Sequence, residues 1–146
     1  MVGKFSPALA TKISYRFYCS SGMVFKGRPN YISSSAYFDG GNYSLGEGVT
    51  ISSEVSFLTH DWALNTVIKS MNINYPGILG RHKNIRVGKN SFIGRGSIVL
   101  PGANIGEGVI IGAGCVIRGN IPDFSVVIGN PAQIIGDTRE YVRKFI

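Results

Sequence analysis

The chain has 146 residues, of which 44% are hydrophobic and 16% charged, a composition typical of one folded domain. Its longest apolar runs are too short to span a membrane, and its N-terminus lacks the continuous apolar segment of a signal peptide, so we expect a cytoplasmic protein. The Lys and Arg residues that give the net charge of +7 are scattered, which argues against a nucleic-acid partner and is compatible with a phosphorylated cofactor.

The first 44 residues carry no clear repeat. Tyr31, Tyr37 and Tyr43 recur at six-residue spacing without being aliphatic, and we interpret residues 27–44 as a degenerate first coil of a repeat domain. We predict that residues 1–26 form a cap or an early strand, because the apolar end of a repeat domain has to be covered.

From Leu45 onward the sequence repeats every six residues. The units are LGEGVT, ISSEVS and FLTHDW, followed after an interruption by VGKNSF, IGRGSI, VLPGAN, IGEGVI, IGAGCV and IRGNIP. The first position is apolar in all nine units and the fourth is Gly or Asn in seven, which is too regular for a chance match in Gly-rich sequence. This period predicts a stacked solenoid in which the first residue points inward and the fourth permits a turn.

Six residues suit one short strand and one turn, and three units make a triangular coil. We therefore predict an all-β fold, a left-handed parallel β-helix of hexapeptide repeats over residues 27–136, because hexapeptide units are known for the left-handed form despite the usual right-handed crossover. We expect a short C-terminal α-helix over residues 137–146, with Asp137 as its N-cap and with Tyr141 and Phe145 packed on the coils.

Residues 63–86 interrupt the repeat and are predicted to form an extruded loop, which in solenoids commonly lies on the binding face. His60 and Asp61 come directly before this loop, and each replaces the small residue that the repeat expects. Such violations concentrate at functional sites, so we favour a functional His60 over a solvent-exposed corner residue. Trp62 either lines an acceptor pocket or covers the end of the coil, and His82 belongs to a solvated basic turn.

The segments FLTHD, VGKNSFIGRGSIVLPGANIGEGVIIGAGCVIRGNIP and VIGNPAQII, in this order, resemble the hexapeptide-repeat acyltransferases over about residues 30–136. The similarity is strongest to the branch of maltose, galactoside, nodulation-sugar and capsular or lipopolysaccharide O-acetyltransferases. The resemblance implies a homotrimer of left-handed β-helices that binds acetyl-CoA in a groove between two subunits.

The resemblance also implies roles for individual residues. His60 would remove the proton from an acceptor hydroxyl that attacks the thioester directly, and an imidazole suits this role because its pKa lies near working pH. Asp61 would orient the imidazole or, as we favour, bind the acceptor together with Trp62. The positions that match the acetyl-CoA pattern of the family are Phe92, Arg95, Gly112, Ala113, Arg118 and Pro131. The chain departs from the family where it has Phe92 in place of a frequent Trp and Gln133 in place of a frequent basic residue.

The expected activity is therefore metal-independent O-acetylation of a sugar or of a surface-polysaccharide precursor. Alternatives on the same scaffold are an antibiotic O-acetyltransferase of the streptogramin or chloramphenicol type and an amino-sugar N-acetyltransferase. A γ-type carbonic anhydrase is disfavoured because its zinc site uses three histidines and this chain has two. A non-catalytic β-helix scaffold would leave the pair His60 and Asp61 unexplained.

Overall fold

The computed structural model describes residues 9, 11–13, 15–16 and 23–146. Short strands wind into a parallel β-helix of about five turns, which confirms the predicted parallel β-helix. Each turn of the solenoid contributes one strand to each of three sheets, so the cross-section is triangular. The helical residues between 9 and 16 reach the first coil through Tyr15, whose ring lies 5.0 Å from that of Phe25. The other residues of the predicted N-terminal cap that precede Met23 lie outside the described part of the chain.

The three sheets are built from strands that stack in register. Sheet 1 contains β1 (Val24–Lys26), β4 (Tyr43–Gly46), β9 (Ile85–Val87), β12 (Asn104–Ile105) and β15 (Asn120–Ile121). Sheet 2 contains β2 (Tyr31–Ile32), β5 (Thr50–Ile51), β10 (Phe92–Ile93), β13 (Ile110–Ile111) and β16 (Ser125–Ile128), with β17 (Gln133–Asp137) added antiparallel to β16. Sheet 3 contains β3 (Tyr37–Phe38), β6 (Ser56–Phe57), β11 (Ile98–Val99) and β14 (Val116–Ile117).

The core is the inside of the prism and follows the repeat. All nine first-position residues from Leu45 to Ile117 are at most 3% exposed, because successive side chains of a strand point to opposite faces and the first of each unit points inward. The fifth positions are buried as well, with Asp61 as the exception. Cys115 fills one of these fifth positions and is fully buried.

Two buried serines bond adjacent coils. Ser91 Oγ donates to Gly106 O at 2.8 Å and accepts from Val109 N at 3.1 Å. Ser97 Oγ donates to Gly112 O at 3.0 Å and accepts from Cys115 N at 3.3 Å. Each serine hydroxyl therefore satisfies one backbone donor and one backbone acceptor of the next coil. Because the hydroxyl is itself hydrogen-bonded, its burial inside the prism leaves no polar group unpaired.

The fourth position of the unit turns the chain through the left-handed backbone region. Gly96 and Gly114 have φ values of 68° and 69°, and Asn90 has 52°, conformations that Gly and Asn adopt at low cost. Glu54 also has a φ of 60° and is the charged exception in this column. The predicted role of the fourth position is thereby confirmed.

Two parts of the predicted register were wrong. In the first coil, Ile32 and Phe38 pair with Ile51 and Phe57, so the inward residue directly follows Tyr31 and Tyr37, and these two units keep the six-residue repeat. At the other end, Ile121 pairs with Ile105, which makes it a first-position residue of a new coil. The corner between Ile117 and Ile121 is two residues shorter than a full unit, and the six-residue frame could not show this deletion.

The predicted loop starts and ends earlier in the chain than its sequence bounds, and the C-terminal helix is shorter than predicted. The loop begins with the hairpin of β7 (His60–Asp61) and β8 (Arg81–His82) and contains α1 (Ala63–Val67) and a 3-10 turn (Ile68–Met71). The C-terminal helix α2 (Thr138–Arg143) has Asp137 as its N-cap, with the side chain accepting from Arg139 N at 2.7 Å. In the described part of the chain, every helix is too short or too polar to cross a bilayer.

The packing predicted for the last two aromatic residues was also wrong. The rings of Tyr141 and Phe145 contact each other at 5.3 Å, but they stay 46% and 73% exposed instead of covering the coils. The segment before the helix forms strand β17, which pairs antiparallel with β16, so the helix begins only at Thr138.

Gly94 and Gly96 allow a test of whether the corners need glycine for close stacking or for the left-handed backbone. A Cβ at Gly94 would lie 2.6 Å from the backbone N of Ala113 in the next coil, whereas a Cβ at Gly96 would meet no atom within 4 Å. Gly96→Ala should therefore cost only the left-handed backbone penalty, about 1–2 kcal/mol, and Gly94→Ala should cost more because the coils have to separate. Urea unfolding of both variants measures the difference. Equal losses would contradict close stacking at Gly94.

Candidate active site at one edge of the prism

One edge of the prism carries most of the irregular corners. This edge, called here the His60 edge, consists of the corners that join sheet 3 to sheet 1, residues 39–42, 58–84, 100–103 and 118–119. Consecutive coils stack directly at these corners, since Leu58 N donates to Val99 O and Leu100 N donates to Ile117 O, each at 2.9 Å. Side chains that are far apart in sequence therefore stand above one another on this edge.

His60 makes its main contact with a carboxylate from the preceding coil. Its Nδ1 lies 2.7 Å from Oδ2 of Asp39. The Asp39 side chain is 1% exposed, whereas the His60 side chain is 31% exposed. Because the buried carboxylate accepts a hydrogen bond from Nδ1, the neutral imidazole holds its proton there and presents Nε2 as an acceptor.

Asp39 is itself held by several donors. Thr59 donates to it from both its backbone N, at 2.6 Å, and its Oγ1, at 2.7 Å. The Tyr43 hydroxyl also donates to Oδ1, and Gly41 N donates at 3.3 Å. Burial alone would raise the pKa of Asp39, but the hydrogen bonds from Tyr43 and Thr59 outweigh it and hold the pKa below its ordinary value. The carboxylate is therefore ionised and rigidly placed.

The same network keeps the Tyr43 hydroxyl protonated. Burial, together with the neighbouring charge and hydrogen bond of Asp39, raises the pKa of Tyr43 well above its ordinary value. Gly41 is small for a related reason, because a Cβ there would overlap the Thr59 side chain at 1.8 Å.

Sequence reasoning missed Asp39. The six-residue tyrosine spacing concealed the register of the first coil, in which Phe38 pairs with Phe57. With that register, Asp39 falls one coil away from the Leu58 to His60 corner. The stretch FDGGN, an acidic residue followed by two glycines and an asparagine after a core aromatic, was the available signal.

The predicted acceptor residues Asp61 and Trp62 flank His60 on the loop. Asp61 is exposed and its Oδ1 accepts from Ala63 N at 2.9 Å, which fixes the start of α1. The Trp62 ring lies 5.5 Å from the His60 ring, and a Cβ at Gly80 would come within 2.6 Å of the indole. Asp61 therefore does not orient the imidazole, and a binding role for either residue stays a prediction.

A cleft of about 510 Å³ opens beside His60. Its remaining lining comes from the hairpin and from three corners of the His60 edge, in the order Leu58, Asp61, Arg81, Leu100, Pro101 and Arg118. The structure thus brings Arg118, predicted to bind acetyl-CoA, next to the residues predicted to bind the acceptor. Among the described residues, none form a group of three or more His, Cys, Asp or Glu side chains arranged to hold a metal ion.

The other predicted acetyl-CoA residues lie away from His60. Ala113 and Gly112 belong to the corner that joins sheet 2 to sheet 3. The edge formed by such corners, residues 33–36, 52–55, 94–97 and 112–115, together with the turn 129–132 that stacks on the last of them, is called here the Ala113 edge. Arg95 lies on this edge and its guanidinium bonds the exposed Glu54 carboxylate at 2.9 and 3.1 Å. Pro131 follows a cis peptide bond on the same edge. Phe92, on the outer face of sheet 2, is 41% exposed.

Residues 84–119 match the family model described as bacterial transferase hexapeptide, six repeats. The structure of a maltose O-acetyltransferase from Clostridium difficile 630 is similar to this chain, with 26% identity and a TM-score of 0.53. Fold and repeat are those of the hexapeptide-repeat acyltransferases. The predicted resemblance to this family is thereby confirmed, and the β-helix is referred to below as a hexapeptide-repeat protein.

Two further structures share the fold of this hexapeptide-repeat protein. An acetyltransferase from Vibrio cholerae O1 biovar eltor, complexed with acetyl-CoA, has 17% identity and a TM-score of 0.61, with 86% of this chain and 78% of the other covered. An N-acyltransferase from Bacillus cereus in complex with dTDP and 3-hydroxybutyryl-CoA has 20% identity and a TM-score of 0.57, with 84% and 69% covered. No protein of curated function matches the chain in sequence.

The match to the maltose O-acetyltransferase covers 79% of this chain and 65% of that protein. The hexapeptide-repeat protein therefore spans less than two thirds of the length of that relative.

Replacing Asp39 tests how far its network stabilises the hexapeptide-repeat fold. Asp39→Asn should lower the free energy of unfolding by about 2–4 kcal/mol, because an amide cannot accept all the bonds that the buried carboxylate accepts. Since the folded-state pKa of Asp39 is lowered from about 3.8, its contribution is complete above that pH and is lost as the pH falls through the folded-state value. Urea unfolding between about pH 6 and pH 3 should therefore show a steeper acid loss for the wild type than for the variant. Parallel pH profiles would contradict this assignment.

Proposed function

We propose that the protein is an acetyl-CoA-dependent O-acetyltransferase that acts on a hydroxyl of a sugar or of a surface-polysaccharide precursor, with His60 as general base. The observation that carries the proposal is the bond from His60 Nδ1 to the buried Asp39 carboxylate. It makes Nε2 the acceptor nitrogen of a partly exposed imidazole that lines a cleft. A general base requires this combination of a fixed tautomer and access to the substrate.

The proposed chemistry is a direct transfer. Nε2 of His60 takes the proton of the acceptor hydroxyl while the oxygen attacks the thioester carbonyl carbon. The carbon–sulfur bond then breaks, and the imidazolium returns the proton to the departing CoA sulfur. Asp39 stabilises the imidazolium that forms in between and holds the ring in place, so it acts as a positioning residue.

The Ala113 edge supports the assignment of the acetyl-CoA groove. A Cβ at Gly114 or at Gly96 would meet nothing within 4 Å, so the backbone of this edge is open to an extended chain such as the pantetheine arm. Phe92 offers exposed aromatic surface one corner away. The ion pair of Arg95 with Glu54 is exposed on both sides, and such pairs contribute little, so the guanidinium remains available to a phosphate.

A site shared between subunits follows from the separation of the two edges. His60 and the acetyl-CoA residues Ala113 and Gly112 stand on different edges of one prism, with sheet 3 between them. The outer face of sheet 3 includes Tyr37 and Ile98, which are 57% and 36% exposed. A homotrimer that buries this face would set the His60 edge of one subunit against the Ala113 edge of the next, because a three-fold axis repeats the same contact.

The extruded loop supports the same assembly. Seven large apolar side chains of the loop are between 42% and 69% exposed: Trp62, Leu64, Val67, Met71, Ile73, Tyr75 and Ile78. Exposed apolar side chains in this number are typical of an interface between proteins.

His60→Ala tests the proposed base. Acetyl transfer should fall by about 10²–10⁴-fold, while the affinity for CoA, measured by calorimetry, should stay within about twofold because the imidazole acts only on the proton. His82→Ala is the matched control: His82 is the exposed cross-strand partner of His60 and its replacement should leave turnover unchanged. Wild-type turnover in the His60 variant would remove the proposed base.

Mixed assemblies test whether the site is shared. His60→Ala and Ala113→Trp should each be inactive, the first at the base and the second by blocking the groove. Unfolding and refolding the two together at equal ratio should restore about a quarter of wild-type turnover, since each mixed trimer regains one intact interface. Size measurement by sedimentation confirms the trimer. No recovery in mixed trimers would place the whole site within one subunit.

A further inference from the structure

The cleft beside His60 has an unbalanced charge. Arg81 and Arg118 both line it, and among the described residues neither side chain has an ion pair or a side-chain hydrogen bond. Asp61 is the acidic residue of the lining, and one of its carboxylate oxygens is already bonded to Ala63 N. The Asp39 carboxylate is buried behind His60 and shared among its own donors.

A third basic residue, Lys83, lies on the same edge of the prism. Lys83 N donates to Thr59 O at 2.8 Å, and its aliphatic stem lies over Gly102, where a Cβ would come within 2.9 Å of Lys83 Cδ. Gly102 follows Pro101, which lines the cleft. The ammonium group of Lys83 is therefore carried on the same edge as Arg81 and Arg118, and the field in the cleft is positive.

The positions of these cations limit which anion they bind. Leu58, Leu100 and Arg118 occupy equivalent corner positions in three successive coils, so Arg118 lies about two coil spacings, roughly 10 Å, from the level of Leu58. A monosaccharide with one charged substituent spans this distance when its hydroxyl reaches His60. The Ala113 edge, where the acetyl-CoA pattern lies, is across sheet 3 from Arg118.

We infer that Arg81 and Arg118 select an acceptor that carries an anionic group, a carboxylate or a phosphate, close to the hydroxyl that is acetylated. The inference rests on the proposed function and assigns Arg118 to the acceptor instead of acetyl-CoA. Guanidinium groups suit this role because their planar fork binds carboxylate and phosphate oxygens in pairs. The acceptor class is therefore an acidic sugar or a sugar phosphate.

The test compares acceptors that differ in charge on the same ring. Methyl glucuronide, glucose 1-phosphate and neutral methyl glucoside are offered with acetyl-CoA, and their binding is also measured by calorimetry without the donor. We expect one of the charged sugars to have a KM and a Kd at least tenfold lower than the neutral one. A preference for the glucuronide identifies a carboxylate acceptor, and a preference for the phosphate identifies a phosphorylated one.

Charge-removing variants assign the preference to the cleft. Arg81→Gln and Arg118→Gln should each raise the KM for the charged sugar by about tenfold to a hundredfold and leave the KM for acetyl-CoA unchanged. Lys89→Gln removes one exposed charge from a different corner of the prism and should alter neither constant.

The outcomes separate this inference from the proposed function. Equal KM and Kd for charged and neutral sugars, together with acetylation of the neutral one, would overturn the anionic acceptor and retain the acetyltransferase. A raised KM for acetyl-CoA in Arg118→Gln would return that residue to the cosubstrate and also overturn the inference. Charge-selective binding that depends on Arg81 and Arg118, without any acetyl transfer, would support the anion site and remove the proposed function.

Discussion

The structure depends on the vertical stacking of identical corners. Each inward aliphatic residue rests on its equivalent in the next coil, and each strand donates its backbone bonds to the coil beside it, so a corner cannot shift without breaking the column. This constraint is what turns a repeat with hardly any reactive side chains into a precise support. Asp39 and His60 are 21 positions apart in the chain, yet stacking of two corners brings their side chains within 2.7 Å.

The chemistry of the candidate site follows from this rigidity. The carboxylate of Asp39 is buried under the corner that carries His60, and the donors that hold it come from the same two coils. An imidazole placed in this way needs no rearrangement to act as a base, because its tautomer and its orientation are fixed before a substrate arrives. The loop is an insertion between two regular coils. Its hairpin adds Asp61 and Arg81 to the cleft, while the coils on either side keep their stacking.

Much of the fold and one half of the site could be predicted from the sequence. The columns of aliphatic residues and of Gly or Asn fixed the register from Leu45 to Ile117, because only inward and turn positions impose strict residue types. His60 stood out since it breaks such a column. Asp39 did not, because the first coil is longer by one residue at the corner that contains it, and the frame of six was lost there. The position of Arg118 could not be predicted either. The family pattern assigned it to acetyl-CoA, whereas the stacking of corners places it in the cleft beside His60.

Almost all changes of chain length between coils occur on the His60 edge. The corner there is seven residues from Phe38 to Leu45, thirty from Phe57 to Val87, six from Val99 to Ile105 and four from Ile117 to Ile121. The Ala113 edge keeps a spacing of six in the four coils that pass from sheet 2 to sheet 3. Insertions on the variable edge leave the column of aliphatic residues intact, because both ends of the inserted segment return to the same triangular frame. The prism therefore has one edge of constant corner length and one edge whose corners vary in length. A hairpin of different length could therefore replace residues 59–84 without changing the register of the coils on either side.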